Sequence, residues 1–347
     1  MINAVPLVDI SPWFSGDEKA RDAVAEAVDK ACVDWGFMIL AGHPIDPGLI
    51  EAMSATSKAF FDLPLEEKLK VDASGSDGGR GYYRMEAKSL ARTLGDKDAP
   101  GDLRESFRIG AEPVASDART TAPEARGHFA DNRWPQQPRQ MQGIWTQYYQ
   151  ACDRLSTELM RICARALKMP DDYFDEMIDR STSNIVAQNY PPLDKPPVPG
   201  QVRNGAHTDF GTLTLLLAED RPGGLQLKGL DGDWHDITPI PGTYIVNLGD
   251  MMAQWTNDRW RSTLHRVVNP PADAGSASRR LSVVFFHTPN FDATIACIPS
   301  CVSANKPATY EPVQAGEHIA RKLRAVESVS KTSRGFEKPQ SQQKPSS

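Results

Sequence analysis

Long apolar runs are missing from this sequence. No stretch approaches the roughly 18 uncharged apolar residues a membrane-spanning helix needs, so no membrane partner is expected. Basic clusters are missing too. Lys and Arg number 39 against 45 Asp and Glu, for a formal net charge of -6. Nothing resembles the footprint of a nucleic-acid-binding protein, and no nucleic-acid partner is expected. An acidic chain can still hold a local basic pocket for a small anion. Cysteine is scarce and odd in number: Cys32, Cys152, Cys163, Cys297 and Cys301. That excludes a disulfide-stapled scaffold and fits a reducing, cytoplasmic compartment. Cys297 and Cys301 have no second pair nearby to complete a metal site, and read as small buried residues. The opening MINAVPLVDISPWF lacks the basic and apolar regions of a secretory signal, and none is expected there. No internal repeat is visible, and the sequence assigns no oligomeric state.

What remains is an ordinary globular composition, 40% hydrophobic and 24% charged over 347 residues, enough to bury a large core. Residues 5–10 read as a short strand. Ala20, Ala23, Val24, Ala27, Val28, Ala31, Cys32 and Trp35 fall at helical spacing, with Gly36 ending the helix and a buried strand over 36–41. Leu49, Ile50, Met53, Ala59, Phe60 and Phe61 predict a second helix, stopped by Pro64. Residues 72–104, rich in Gly, Asp and Ser, have too little apolar content for a core element and read as a mobile loop covering a site. A strand is expected at 105–110, loop at 111–131, a long helix over 144–167 and a short one from Pro170.

After Ser181 the texture changes. NIVAQNY, LTLLLA, GLQLK, DWHDIT, TYIVNLG, TLHRVV and RLSVVFFH are short β-type runs separated by Pro and Gly turns. That pattern predicts an antiparallel double-sheet jelly roll. Three blocks are expected: a helical and mixed region with a lid loop over 1–180, the jelly roll over 181–326, and a polar, disordered tail over 327–347.

The stretch Arg203–Ser282 carries the chemistry. His207 and Asp209 stand two apart, so alternation can point both one way, with Thr208 opposite. His265 follows in a later strand, then Arg280 and Ser282 on one face of the next. Two histidines and a carboxylate with open positions suit non-haem Fe(II); zinc is the rival metal. A guanidinium beside a hydroxyl is what a dicarboxylate tail wants. A His-x-Asp pair alone would read as a satisfied core histidine and a surface acid. The later His-Arg-Ser series is what argues otherwise. Asp250 and Asn257 read as turn residues satisfying backbone groups, and Trp255, Trp260 and Phe210 as packing.

VPLVDIS, WGFMILAGHPI, AFFDLPLEEK, RGYY, DLRESFRIG, QNYPP, GAHTDFGTLTLL, PGTYIVNLGDMMAQWTND, RSTLHRVVNP and RRLSVVFFHTPN run in order along the chain. In this it resembles the isopenicillin-N-synthase-like branch of the 2-oxoglutarate/Fe(II)-dependent oxygenases. The resemblance implies an α+β, mainly β fold: a double-stranded β-helix, or distorted jelly roll, with N-terminal helices packed outside. It implies Fe(II) held by His207, Asp209 and His265, and 2-oxoglutarate held by Arg280 and Ser282, with Tyr190 and Gln188 helping to seat it. Gln188 stands where the family often has Asn. It further implies O2 as oxidant and a small-molecule substrate, hydroxylated, desaturated or cyclised with release of succinate and CO2. Tyr82, Tyr83, Arg84 and Glu86 lie where the family's variable lid meets substrate, and His287 follows the Arg280 strand. Two alternatives stay open: an isopenicillin-N-synthase-type oxidase that uses no 2-oxoglutarate, and ethylene formation from 2-oxoglutarate.

Overall fold

A computed structural model describes residues 5–332 apart from positions 16, 97 and 194, with side chains described through residue 323. Strand β1 (Leu7–Asp9) leads to helix α1 (Glu18–Asp34), capped by Asp17, whose side chain accepts from the Lys19 and Ala20 amides. Gly36 follows at φ +65°, where a Cβ would strike the Arg261 carbonyl, so the chain turns there into β2 (Phe37–Ala41). Helix α2 (Pro47–Phe61) buries Met53, Thr56, Ser57 and Phe60, a stripe at i, i+3, i+4, i+7. Its middle is polar: Thr56 and Ser57 donate back to the Ala52 and Met53 carbonyls. Ala59, expected inward, lies off this stripe and is exposed. Pro64 both ends that region and opens α3 (Leu65–Leu69).

Next come β3 (Gly81–Tyr83), β4 (Glu105–Gly110), the one-turn α4 (Ala118–Thr121) and the long α5 (Met141–Ala166). The acidic start at Pro170 gives turns, and only α6 (Asp175–Ile178) is helical. The strands then follow as expected: β5 (Asn184–Tyr190), β6 (Asn204–His207), β7 (Leu213–Ala218), β8 (Leu225–Lys228), β9 (Trp234–Ile237) and β10 (Tyr244–Leu248). Helix α7 (Asp250–Trp255) intervenes before β11 (His265–Val267) and β12 (Arg280–His287). A small ribbon, β13 (Thr294–Ile295) with β14 (Val313–Gln314), precedes α8 (Ala315–Thr332).

Eight strands form one sheet in the order β1-β2-β10-β7-β12-β5-β4-β3, and β6-β11-β8-β9 form a second. Alternation sorts their side chains. Met38 and Leu40 of β2, Val246 and Leu248 of β10, and Val283 and Phe285 of β12 join the core beneath α1, α2 and α5. Phe37, Ile39 and Ile245 turn the other way, to Leu225, Leu227 and Val267 of the second sheet. The result is the double-stranded β-helix with helices outside. Strands β1 to β4 belong to the same sheet as β5, β7, β10 and β12, so the block boundary near residue 180 runs through a shared sheet.

Two expectations are corrected. Residues 72–104 are not devoid of core elements. Tyr82 and Arg80 are buried, and β3 is the edge strand beside β4. Asp102, also buried, accepts from the Gly205 and Leu90 amides. Polar anchoring of this kind leaves no apolar signature. Helix α8 runs to Thr332, so the tail expected from 327 is helical for its first turn and a half. Its docked start, with Ala315 and His318 buried, provides a nucleus from which polar residues propagate at little cost. Residues 333–347 lie outside the described residues.

Glu105 ties this edge together. Its carboxylate meets Lys68 Nζ at 2.8 Å, the Tyr82 hydroxyl at 2.5 Å and Asn189 Nδ2 at 2.8 Å, all buried. Removing one partner of a buried ion pair leaves the other charge unanswered. Glu105→Ala is therefore expected to cost about 3–5 kcal/mol in unfolding free energy. Urea denaturation measures it; a loss under about 1 kcal/mol, the worth of an exposed pair, would reject the assignment.

Candidate functional site

The second sheet brings the two histidines together by register. His265 of β11 pairs with His207 of β6, and their ring centroids are 4.3 Å apart. Asp209 lies just past the end of β6, in the loop rather than on the strand. Its Oδ1 stands 3.7 Å from each Nε2, and the three ligand atoms all lie within 4.8 Å of one another. All three residues are buried.

The outer partners fix how each group faces. His207 Nδ1 meets the Gly205 carbonyl at 2.8 Å and His265 Nδ1 the Thr263 carbonyl at 3.0 Å. Each Nδ1 therefore carries the proton, which leaves the Nε2 lone pairs turned inward. Asp209 Oδ2 accepts from Thr214 Oγ1 at 2.6 Å and Asn247 Nδ2 at 2.7 Å, so only Oδ1 is free to face the histidines. Burial, then the neighbouring His265, lowers the pKa of His207 and keeps it neutral. Burial alone would raise Asp209, but the histidines and its two hydrogen bonds prevail and hold it ionised. Two imidazoles that turn Nε2 inward and one carboxylate are the donor set that suits Fe(II). Thr214 and Asn247 escape a reading of the sequence alone. Their signal is present, as lone polar residues at inward positions of LTLLLA and YIVNLG.

Thr208 points away, as alternation requires, and donates to Asp250. Asp250 starts α7 instead of capping a turn. Its carboxylate also takes Ser262 Oγ at 2.7 Å and Lys322 Nζ of α8 at 2.6 Å, and its amide donates to the Asp209 carbonyl. The ligand loop is thus buttressed by the C-terminal helix.

A narrow cleft opens from these residues, lined also by Gln188, Tyr190, Arg280 and Ser282. Strand pairing places Arg280 opposite Tyr190 and Ser282 opposite Gln188. The Tyr190 hydroxyl donates to Gln188 Oε1, and two guanidinium groups approach the Tyr190 ring, Arg280 at 5.3 Å and Arg203 at 5.6 Å from its centroid. Arg280 is buried. Its Nε donates to the Glu219 carbonyl, but its Nη1 has no partner among the described residues. A buried guanidinium donor left open beside a serine fits the carboxylate of 2-oxoglutarate.

Five other candidates do not reach this cleft. Alternation along β12 sends Arg280, Ser282, Val284 and Phe286 inward, so His287 faces the other way and bonds Thr212 Oγ1 at 2.7 Å. Tyr82 sits in the helix-side core against Phe60. Tyr83 donates to the Gly79 carbonyl. Arg84 is exposed with Asp72 at 3.8 Å, and Glu86 is exposed at φ 61°. The segment that lies over the second sheet comes later, at Leu90–Leu94. There a Cβ on Gly205 would meet the Ala91 amide at 2.6 Å.

A facial pair of histidines with a carboxylate inside a double-stranded β-helix defines a non-haem iron oxygenase. The chain belongs to the 2OG-Fe(II) oxygenase superfamily, whose description it matches over residues 182–289; residues 5–137 match the N-terminal region of non-haem dioxygenases in morphine synthesis. It is 31% identical over 314 residues to the 2-oxoglutarate-Fe(II) type oxidoreductase hxnY of Emericella nidulans, covering 89% of this chain and 86% of that one. It is 32% identical over 326 residues to the validamycin A dioxygenase of Streptomyces hygroscopicus subsp. limoneus, covering 93% and 86%. A full-length Neurospora crassa protein solved in complex with alpha-KG and thymine superposes with a TM-score of 0.79 at 31% identity, over 95% of this chain and 99% of that one. The protein is a 2-oxoglutarate-dependent dioxygenase that uses Fe(II) and O2.

Proposed function

We propose that this enzyme hydroxylates an unactivated C–H bond of a small molecule, with His207, Asp209 and His265 holding Fe(II) and Arg280 and Ser282 holding the far carboxylate of 2-oxoglutarate. Bound iron supplies the redox chemistry that joins one oxygen of O2 to the substrate and the other to succinate, with loss of CO2. The protein's own residues do the rest. Thr214 and Asn247 keep Asp209 from rotating, and the Gly205 and Thr263 carbonyls keep both imidazoles in one tautomer. Tyr190 and Gln188, bonded to each other, form the wall against which the cosubstrate lies. Phe37, Leu216 and Val267 exclude water from the reacting centre.

The observation that carries this reading is the unpartnered Nη1 of buried Arg280 in the same cleft as the three ligands. Relatives named for validamycin A and for homoarginine share the scaffold with one solved with thymine, so substrate choice belongs to the rim. All five cysteines are free thiols, in keeping with the cytoplasmic setting proposed here. The test is succinate release under Fe(II), ascorbate and O2 across a panel of small molecules. One succinate per hydroxylated product is expected, and none without 2-oxoglutarate. Product without succinate would reject it in favour of an oxidase.

A further inference from the structure

Among the described residues, no carboxylate answers the guanidinium of Arg108. It sits on β4 between Phe107 and Ile109, both of which turn into the helix-side core. Alternation therefore sends Arg108 to the cleft-facing side of the sheet. Its row across the ladder reads Arg108, Val186, Val284, Leu216; the last two line the cleft that contains His207, Asp209 and His265, and Arg108 and Val186 continue the same face of the sheet beyond that lining. Two strand spacings, about 10 Å, separate its backbone from that of Val284.

Among the described residues its surroundings hold no counter-charge. The Nε atom is buried without a hydrogen-bond partner. The ionisable groups around it are Tyr83 and Arg80 of the neighbouring edge, and Arg80 is itself a cation held by the Ala111 and His128 carbonyls. Acids outnumber bases in this chain, 45 to 39, yet none of the described ones is placed against Arg108. Arg108 as a whole is part-buried, but its Nε is withdrawn from water, and a buried donor without a partner is costly; a ligand that brings the missing charge removes the cost.

We propose that Arg108 binds a carboxylate at the far end of the organic substrate, which is accordingly a small carboxylic acid with an apolar body. The apolar body follows from Val186, Val284 and Leu216, which lie between the guanidinium and the metal-facing part of the cleft. This carboxylate is not that of 2-oxoglutarate. Arg280 stands four residues before Val284 on β12, about 13 Å along the strand. The inference rests on the cleft being the place where substrate reacts.

The test uses the full-length protein loaded with Mn(II) and saturated with 2-oxoglutarate, so that Arg280 is already occupied. Octanoate and 6-phenylhexanoate are titrated by calorimetry against their primary amides. Wild type should bind the acids roughly ten- to hundredfold more tightly than the amides, as a charge-assisted contact allows. Arg108→Gln should bring acid and amide within about twofold, and Arg108→Lys should keep part of the preference. Affinity for 2-oxoglutarate should stay at the wild-type value in both variants, which a misfolded protein would not show. Wild type that fails to prefer the acids overturns the proposal, as does an unchanged preference in Arg108→Gln. Failure of wild type to bind Mn(II) and 2-oxoglutarate at all would instead overturn the reading of the cleft, and this inference with it.

Discussion

A His265→Ala variant is expected to bind no Fe(II) and to release no succinate while keeping its fold. His265 Nε2 is one of three ligand atoms within a 4.8 Å span, and no other His, Cys, Asp or Glu among the described residues joins that cluster. Two remaining ligands hold a divalent ion far more weakly than three, because one coordination bond is returned to water. The fold should survive because β11 is held by backbone pairing to both β6 and β8. Asp209→Glu should also fail. Thr214 and Asn247 pin the outer oxygen of Asp209, and a longer arm cannot satisfy them and reach the same point. By contrast, Thr214→Val and Asn247→Ala leave all three ligands and should weaken metal affinity by about 10–100-fold. Calorimetric titration with Mn(II), circular dichroism and a succinate assay separate these outcomes. Turnover retained in His265→Ala would sink the ligand assignment.

Much of this site can be read from the sequence because the chemistry is local. His207, Asp209, His265, Arg280 and Ser282 lie on or next to short strands whose period is two, so facing follows from numbering. The same rule, applied to β12, also excludes His287: an odd position there faces the helices, and Thr212 is its partner. What stays hidden depends on pairing between distant segments. Nothing local in LTLLLA or YIVNLG says that Thr214 and Asn247 converge on one carboxylate oxygen; only the β10–β7 register does, with Asn247 directly opposite Thr214. Tyr82 reads as a substrate residue because it lies where the resembled family's variable lid meets substrate. Its burial is set by the Glu105 carboxylate, 23 positions on. Arg108 draws no notice in sequence because an arginine in a strand is ordinary until its described neighbours prove to contain no acid. The helices are legible where their stripes are apolar and blurred where Thr56 and Ser57 fill the stripe by bonding to their own backbone.

The second large effect should come from Arg280, and it tests the use of 2-oxoglutarate by this chain directly. Arg280 is buried, stacked on Tyr190, and leaves Nη1 open toward the cleft. A carboxylate there receives a forked contact in a site removed from bulk water, where such a pair is far stronger than an exposed one. Arg280→Gln removes the charge and leaves the incoming carboxylate desolvated and unpaired, a loss of about 3–5 kcal/mol, or some hundred- to several-thousandfold in affinity. Arg280→Lys keeps the charge but loses the fork and the Nε bond to the Glu219 carbonyl. It should cost about 1.5–3 kcal/mol, as should Ser282→Ala at the lower end of that range. Mn(II) affinity without cosubstrate should change little in any of them, because Arg280 does not contact the three ligands. The measurement is a titration of 2-oxoglutarate against each variant, read both as calorimetric binding to the Mn(II) form and as the apparent KM for succinate release. Raised 2-oxoglutarate constants with unaltered metal binding would place the cosubstrate carboxylate at Arg280. Wild-type turnover with no 2-oxoglutarate present, and variants that fail on the organic substrate instead, would mean that this guanidinium serves the substrate, as an oxidase would use it.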